Sequence, residues 1–301
     1  MDLTHLRAFA AVAKIGHLTR AAETLHLSQP ALSGQIKALE ENLGVSLFQR
    51  SSSGMALTPS GRTLLEQAEG VLSAVAHLGH TAQGLRGQPT GRLMLGTVLD
   101  PRFLRVGELL ARALEKYSQI ELELRQVVSH DALAGVRNGT LDASFYFGPP
   151  PGSDLAYIAL REMTYRVTCP AAWGKGIADA PWSEIASHPW ILAPEGSTHA
   201  QLVHELFHGR AELPPRTIES DNESVITNLV ESGVGASLVR DEIALASARA
   251  GRSVIWPGAQ VTTRLWLMWA ADRDADPLIV AVRDVLGDIW SDAALPEPQS
   301  A

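Results

Sequence analysis

Gln29, Ser33 and Lys37 recur at every fourth position of one stretch, a spacing that aligns them along one face of a helix. A glutamine amide can pair with N6 and N7 of adenine, a serine hydroxyl reaches a base edge or a phosphate, and a lysine neutralises phosphate. Set into a major groove, such a face reads duplex DNA. For any one of the three taken alone, a solvated helix face is the plainer role. A second set, Thr97, Ser197, Thr198, Asp221 and Asn222, stands where strands turn into helices. Hydroxyls and free N–H groups at such junctions converge on the mouth of an α/β sheet and suit a small polar or anionic ligand. Each of these residues is also an ordinary helix cap. Asp100 and Arg102 either set the charge of that mouth or form a solvated pair. Phe147 opens Phe147-Gly148-Pro149-Pro150-Pro151, a stiff extended segment that walls a cleft or crosses between lobes.

Other chemistries lack their residues. The chain has no Gly-x-Ser-x-Gly elbow, no Gly-x-Gly-x-x-Gly turn and no P-loop. Cys169 is the single cysteine, so no intrachain disulfide, thiol switch or cysteine-based zinc site is open, and the compartment reads as reducing and cytoplasmic. His199, His204 and His208 lie on or near one helix. The last two are four apart, formally a metal spacing, with surface histidines as the plainer reading. No metal, no cofactor and no enzymatic activity are expected. An enzyme built on an α/β domain and a solute-binding module with a helical cap are the rival functions.

The elements that must position these residues follow from periodicity. Leu3, Leu6, Phe9, Ala10 and Ala13 predict a helix from Thr4 to about Ile15 that Gly16 stops. Thr19 sits where a cap belongs, ahead of a short helix from Arg20 to Leu25. Ser28 caps a third, with Pro30 tolerated in its first turn and Leu32, Ile36 and Leu39 as its inward stripe. Apolar pairs around Ser51-Ser52-Ser53-Gly54 predict a hairpin. Thr58-Pro59 then opens one long helix to about Leu85, roughly 27 residues and near 40 Å. Its one-sided stripe of Leu65, Ala68, Leu72, Val75 and Ala82 implies a partner helix, because no other N-terminal segment looks long enough to cover it. Gly84, Gly87, Pro89 and Gly91 mark a hinge.

Beyond the hinge, strand patterns (Arg92–Thr97, Ile120–Val127, Ala143–Phe147, Tyr165–Cys169, Trp190–Ala193, Thr217–Ser220, Ala236–Val239, Leu265–Trp269) alternate with helical ones (Phe103–Tyr117, Asp131–Val136, His199–Phe207, Ser224–Glu231, Pro277–Ile289). Alternation predicts a mostly parallel sheet with helices on both faces. About 200 residues favour two subdomains that share a cleft. Charge supports the same division. Residues 1 to 65 carry six basic side chains against four acidic ones, +2, so with a total of −8 the rest carries −10. Only the head is suited to a polyanion. No apolar run approaches the ~18 residues of a membrane span, and the first seven residues lack the basic-then-apolar order of a secretory signal.

Leu18-Thr19-Arg20-Ala21-Ala22-Glu23-Thr24-Leu25-His26-Leu27-Ser28-Gln29-Pro30-Ala31-Leu32-Ser33, then Ile36, Leu39-Glu40, Leu43-Gly44, Leu47-Phe48, Arg50 and Leu57-Thr58, resemble the winged helix-turn-helix of LysR-type transcriptional regulators. The resemblance implies an α+β multidomain chain: a winged DNA-binding domain over 1–58 with the helix-turn-helix at 18–37, a linker and dimerisation helix with hinge over 59–90, a two-lobed, periplasmic-binding-protein-like effector domain over 91–294, and a disordered tail over 295–301. It implies base and backbone contacts from Gln29, Pro30 and Ser33 and wing-side phosphate contacts from Arg50 and Thr58, with Arg20, Ser28 and Lys37 on the same surface. Thr97, Asp100, Arg102, Phe147, Ser197, Thr198, Asp221 and Asn222 become candidates for a small organic effector. The implied partners are promoter DNA, a second copy through the linker helix, a homotetramer beyond that, and RNA polymerase, with no membrane. Two departures stand out: Gly34 replaces a usual basic residue, and the wing tip Ser51-Ser52-Ser53-Gly54 lacks the usual arginine. Fewer phosphate charges imply a shallower salt dependence.

Overall fold

The structure, a computed structural model, describes residues 2–51, 54–84, 89–98, 100–210, 213–214 and 216–290. The expected helix end at Leu85, the hinge glycine Gly87, the wing-tip residues Ser52 and Ser53 and the tail 295–301 lie outside them.

Three helices open the chain: α1 (Leu3–Ile15), α2 (Leu18–Thr24) and α3 (Gln29–Leu43). Asp2 caps α1 by accepting from the Thr4 N–H at 2.8 Å, and Gly16 stops it in the left-handed conformation at φ 72°. That left-handed turn delivers the chain directly into α2, so Thr19, expected as a cap, already lies inside the helix. Ser28 caps α3 through the Ala31 N–H at 3.3 Å, and Pro30 occupies its first turn, where no hydrogen bond is lost. Leu6, Phe9 and Val12 of α1, Ala21 and Ala22 of α2, and Leu32, Ile36 and Leu39 of α3 close one buried core.

The hairpin β1 (Phe48–Ser51) and β2 (Gly54–Leu57) is fastened to this core at several points. Phe48 meets Phe9 edge-to-face at 5.5 Å. The Glu40 carboxylate accepts from the N–H groups of Leu47 at 2.6 Å and Phe48 at 3.2 Å, and the Met55 N–H donates to the Gly16 carbonyl at 2.8 Å. Position 54 needs glycine: at φ 126° a Cβ would lie 2.4 Å from the Gly16 carbonyl oxygen.

The helix α4 (Pro59–Gly84) follows. Leu64, Leu65, Ala68 and Leu72 join the N-terminal core, with α1 alongside. This corrects the expectation that no N-terminal segment covers the stripe: α1 runs beside the first half of α4 and takes up those side chains. Val71 and Leu78 stay exposed and Val75 partly so, at the i, i+4, i+7 spacing of a helix seam.

The remaining chain runs β3 (Gly91–Thr97), α5 (Val106–Lys116), β4 (Ile120–Gln126), α6 (Ser129–Arg137), β5 (Ala143–Gly148), β6 (Leu155–Pro170), α7 (Trp182–Ser187), β7 (Trp190–Leu192), α8 (Thr198–Phe207), β8 (Arg216–Glu219), α9 (Glu223–Glu231), β9 (Ser237–Arg240), α10 (Asp241–Arg249), β10 (Ser253–Ala270) and α11 (Pro277–Trp290). α5 starts at Val106 rather than Phe103, because Arg105 takes a left-handed φ of 54° and keeps the residues before it in a turn. Six strands form one sheet in the order β4-β3-β5-β10-β6-β9. Only β3–β4 and β3–β5 pair parallel in it. The expectation of a mostly parallel sheet is therefore corrected: β10 runs antiparallel to β5 and β6, and β6 to β9. The cause is length. β6 and β10 have 16 and 18 residues, and the expected Tyr165–Cys169 and Leu265–Trp269 are only their most apolar segments.

These two strands divide the sheet into lobes. Arg264 to Trp269 of β10 pair with β5 in the first lobe, while Tyr165 to Thr168 of β6 pair with β9 in the second. The parallel pair β7–β8 continues the second lobe through a bridge from Trp190 to Ala236. Register shifts between Ile255 and Gln260 and between Leu265 and Trp266 interrupt the β6–β10 ladder, the kind of irregularity that bends a strand pair. Among the described residues, no helix is long and apolar enough to cross a membrane.

Glu40→Ala removes the acceptor shared by the Leu47 and Phe48 amides. We expect a loss of about 1–3 kcal/mol from the N-terminal unit and faster hydrogen exchange at both amides, with β3 and β5 unaffected. Unchanged exchange at Leu47 and Phe48 would mean that the Phe9–Phe48 contact alone holds the hairpin.

Candidate functional site

The outer face of α3 is solvent. Ser28, Gln29, Pro30, Ser33 and Lys37 are all exposed, as is Arg20 on α2, while Leu32, Ile36 and Leu39 on the opposite face are buried. The Ser28 hydroxyl caps the helix, and the Gln29 Oε1 accepts a long 3.5 Å bond from the Thr19 hydroxyl. Lys37 pairs with Glu41 at 3.6 Å with both side chains exposed, a contact too weak to hold it from a phosphate. A Cβ at Gly34 would meet nothing within 4 Å, so the missing basic residue leaves open space on this face. Arg50 stands opposite Met55 in the hairpin by its backbone, and its side chain lies outside the described atoms. Thr58 has a different employment from the expected phosphate contact. Its hydroxyl accepts from the Gly61 N–H at 2.9 Å, capping α4, and donates to the Ser46 carbonyl at 2.7 Å.

A second feature lies between the lobes, a cavity of about 240 Å³. The first lobe contributes Asp100, Gln126, Ser129 and Phe147; the second contributes Ser197, Thr198, Asp221 and Asn222. Six of the eight residues singled out in the sequence thus come together on one wall system. Ser197 caps α8 through the Ala200 N–H at 3.1 Å, and Asn222 caps α9 through Ser224 and Val225 at 3.0 and 3.1 Å. Thr198 does more than start a helix: its hydroxyl donates to the Phe147 carbonyl at 2.7 Å and so joins the two lobes. Trp266 holds the next residue, its Nε1 donating to the Gly148 carbonyl at 3.1 Å. Thr97 and Arg102 do not line the cavity. Thr97 is buried with its hydroxyl toward the Arg125 carbonyl at 3.4 Å, and Val98 takes the wall position. Arg102 is exposed, with its backbone N–H on Asp100 at 2.9 Å.

Several wall residues carry no local sequence signal. Tyr165 stacks on Phe147 at 6.4 Å and meets His199 edge-on at 6.2 Å. Burial pushes the Tyr165 phenol far up, so it stays neutral. His199, expected on the surface, is buried; its Nε2 contacts the Leu238 carbonyl at 2.9 Å and burial holds its pKa below the ordinary range. Facing a carbonyl, Nε2 carries the proton, which leaves Nδ1 as a lone-pair acceptor without a partner. Glu223 begins α9, and its Oε2 accepts from Arg240 at 2.9 Å. Burial pushes its carboxyl up, Arg240 opposes this, and Asp100 across the cleft adds to the rise. A charged residue in a first helical turn looks like solvent exposure in a sequence, which is why Glu223 escaped notice.

The stretch His204-Glu205-Leu206-Phe207-His208 has the letters of a zinc-protease helix, a form beyond the bare i, i+4 spacing weighed above. Geometry denies it that role. α8 ends at Phe207, His204 and His208 both face solvent, and no three metal-ligating side chains gather anywhere among the described residues. Trp256, Trp266 and Trp269 are buried, as core residues should be.

The family pattern described as "Bacterial regulatory helix-turn-helix protein, lysR family" matches residues 3–62, and "LysR substrate binding domain" matches residues 86–291. The HTH-type transcriptional regulator IlvR of Caulobacter vibrioides is 33% identical over 247 residues, 79% of this chain and 82% of that one. Among solved structures, a full-length OxyR variant from Pseudomonas aeruginosa is similar with a TM-score of 0.67 and 26% identity, covering 99% of both chains. Full-length CbnR complexed with its target DNA shares the fold with a TM-score of 0.65 at 21% identity, covering 96% of this chain and 99% of that one. A helix-turn-helix with a solvent-facing recognition helix, joined by a long helix to a two-lobed α/β domain with a cleft, is thus matched along nearly the whole chain: the protein belongs to the LysR family of transcriptional regulators, with a DNA-binding head and an effector-binding domain.

Proposed function

We propose that the protein switches transcription when a small organic molecule occupies the cleft between its lobes, and that α3 carries the sequence readout. The observation behind the second half is the division of α3 into a buried apolar stripe and a wholly exposed polar face. Gln29 and Ser33 reach base edges; Arg20, Ser28, Pro30 and Lys37 fix register on the backbone, joined by Arg50 of the wing. Thr58 acts through the α4 cap rather than on phosphate. The domain division 1–58, 59–90 and 91–294 serves this scheme. The protein works in the cytoplasm with promoter DNA and RNA polymerase, as a regulator and not an enzyme.

Two copies pair along α4 through Val71, Val75 and Leu78, an apolar line beside the stripe that α1 leaves at least partly exposed, and dimers associate into tetramers. Effector binding alters lobe closure through the Thr198–Phe147 bond, and closure alters the spacing of the DNA-binding heads. A thiol-based signal is disfavoured: Cys169 is buried, and its thiol is pushed up to about 12 by desolvation, which withholds the reactive thiolate.

Gln29→Ala should weaken binding to an operator by about 1–3 kcal/mol with little effect on nonspecific duplex, measured by fluorescence anisotropy. Equal losses on both DNAs would assign Gln29 to positioning only. Lys37→Ala should weaken both and lower the salt slope by about one unit. At the dimer seam, Val71→Asp with Leu78→Asp places carboxylates on exposed positions and should yield a folded monomer in sedimentation. A variant that stays dimeric would remove α4 from the interface.

A further inference from the structure

We propose that the ligand of the cleft carries a primary ammonium group. This rests on the reading of the cleft as the effector site and names the class of effector. The charged side chains lining the cavity are all acidic: Asp100 from the first lobe, Asp221 and Glu223 from the second. Arg240, the cation that pairs with Glu223, is not on the wall. It is buried, bonded through one nitrogen to Glu223 Oε2 at 2.9 Å, with its guanidinium over the Phe103 ring at 3.7 Å; its Nε and Nη1 have no hydrogen-bond partner, but Arg240 lies behind Glu223 rather than among the lining residues. Arg102, which the sequence placed beside Asp100, is exposed and not among the residues lining the cavity.

The orphaned atoms of the wall point the same way. Glu223 Oε1 and His199 Nδ1 are buried without a hydrogen-bond partner, and both belong to residues that line the cavity. His199 is only 9% exposed. Both atoms are acceptors, so what satisfies them is a donor. An anionic ligand would meet Asp100 and Asp221 without a cation on the wall to offset them, and would leave both acceptors unpaired. An ammonium group supplies three donors and a charge of the required sign. It also draws Asp100 and Glu223 together from opposite lobes, which ties ligand binding to closure. Val98, Val128 and Ile226 add an apolar wall for a short aliphatic part, and about 240 Å³ is below the usual size of sites for drug-sized ligands.

The source of the ammonium is either an amino acid, whose carboxylate would rest near the first turn of α8, or a plain amine. Thermal unfolding of the full chain, with millimolar L-amino acids, their decarboxylated amines and their deaminated carboxylic acids, separates the two. We expect at least one ammonium-bearing probe to raise Tm by a few degrees, as binding well above Kd does, and its amine-free counterpart to have no effect. Asp100→Asn, a change at an exposed position, should weaken that probe at least tenfold. Ser224→Trp, which fills the cavity from an exposed site, should abolish the shift. Carboxylic acids that bind, with Ser224→Trp blocking them, would overturn the ammonium class and leave the cleft standing. An ammonium probe that binds equally well to Ser224→Trp would overturn the cleft itself. No shift from any ammonium-bearing probe would count against the class.

Discussion

The pairing of β6 with β10 is the constraint on which the C-terminal two-thirds of the molecule depends. Sixteen and eighteen residues long, these antiparallel strands belong to both lobes at once. Every other strand of the six-stranded sheet serves one lobe: β3, β4 and β5 lie on the β10 side, and β9 on the β6 side. A two-stranded ribbon with interrupted register bends more easily than the packed layers it joins. The cleft follows from that geometry, since the helices α8 and α9 of one lobe face the ends of β3 and β5 of the other across it.

Side-chain chemistry then gives the cleft two different interactions across the gap. One is attractive and in place, the Thr198 hydroxyl on the Phe147 carbonyl at 2.7 Å. The other is repulsive: burial chiefly pushes the Glu223 carboxyl upward, and the charge of Asp100 on the first lobe adds to that rise. Phe147 takes part in both the cleft wall and the lobe contact, and it is held from behind by stacking on Tyr165.

At the other end of the molecule, rigidity is the rule. Caps at Asp2, Ser28 and Thr58, left-handed glycines at 16 and 44, and the Glu40 carboxylate beneath the hairpin fix α3 and the wing as one body. The first half of α4 joins this body through Leu64, Leu65, Ala68 and Leu72.

Local signals were enough for the DNA-binding head. Its helices are short, capped by Asp, Ser or Gly, and their apolar spacing repeats within a few residues, so Gln29, Ser33 and Lys37 could be placed on the outer face from the sequence. Six of the eight effector candidates reached the cleft for a related reason: the ends of strands and the caps that follow them, such as Ser197 and Asn222, are local patterns, and α/β folds gather them at one edge. What sequence could not show was everything set by pairing between distant segments. The length and direction of β6 and β10, the cover that α1 gives α4, and the displacement of Thr97 and Arg102 from the wall all depend on partners far along the chain. Burial of His199 and the half-paired state of Glu223 are of the same kind, since the protonation and satisfaction of a polar group are decided by what the fold brings against it. Local periodicity is written in neighbouring residues; hydrogen-bond partners and desolvation exist only once the lobes have closed around them.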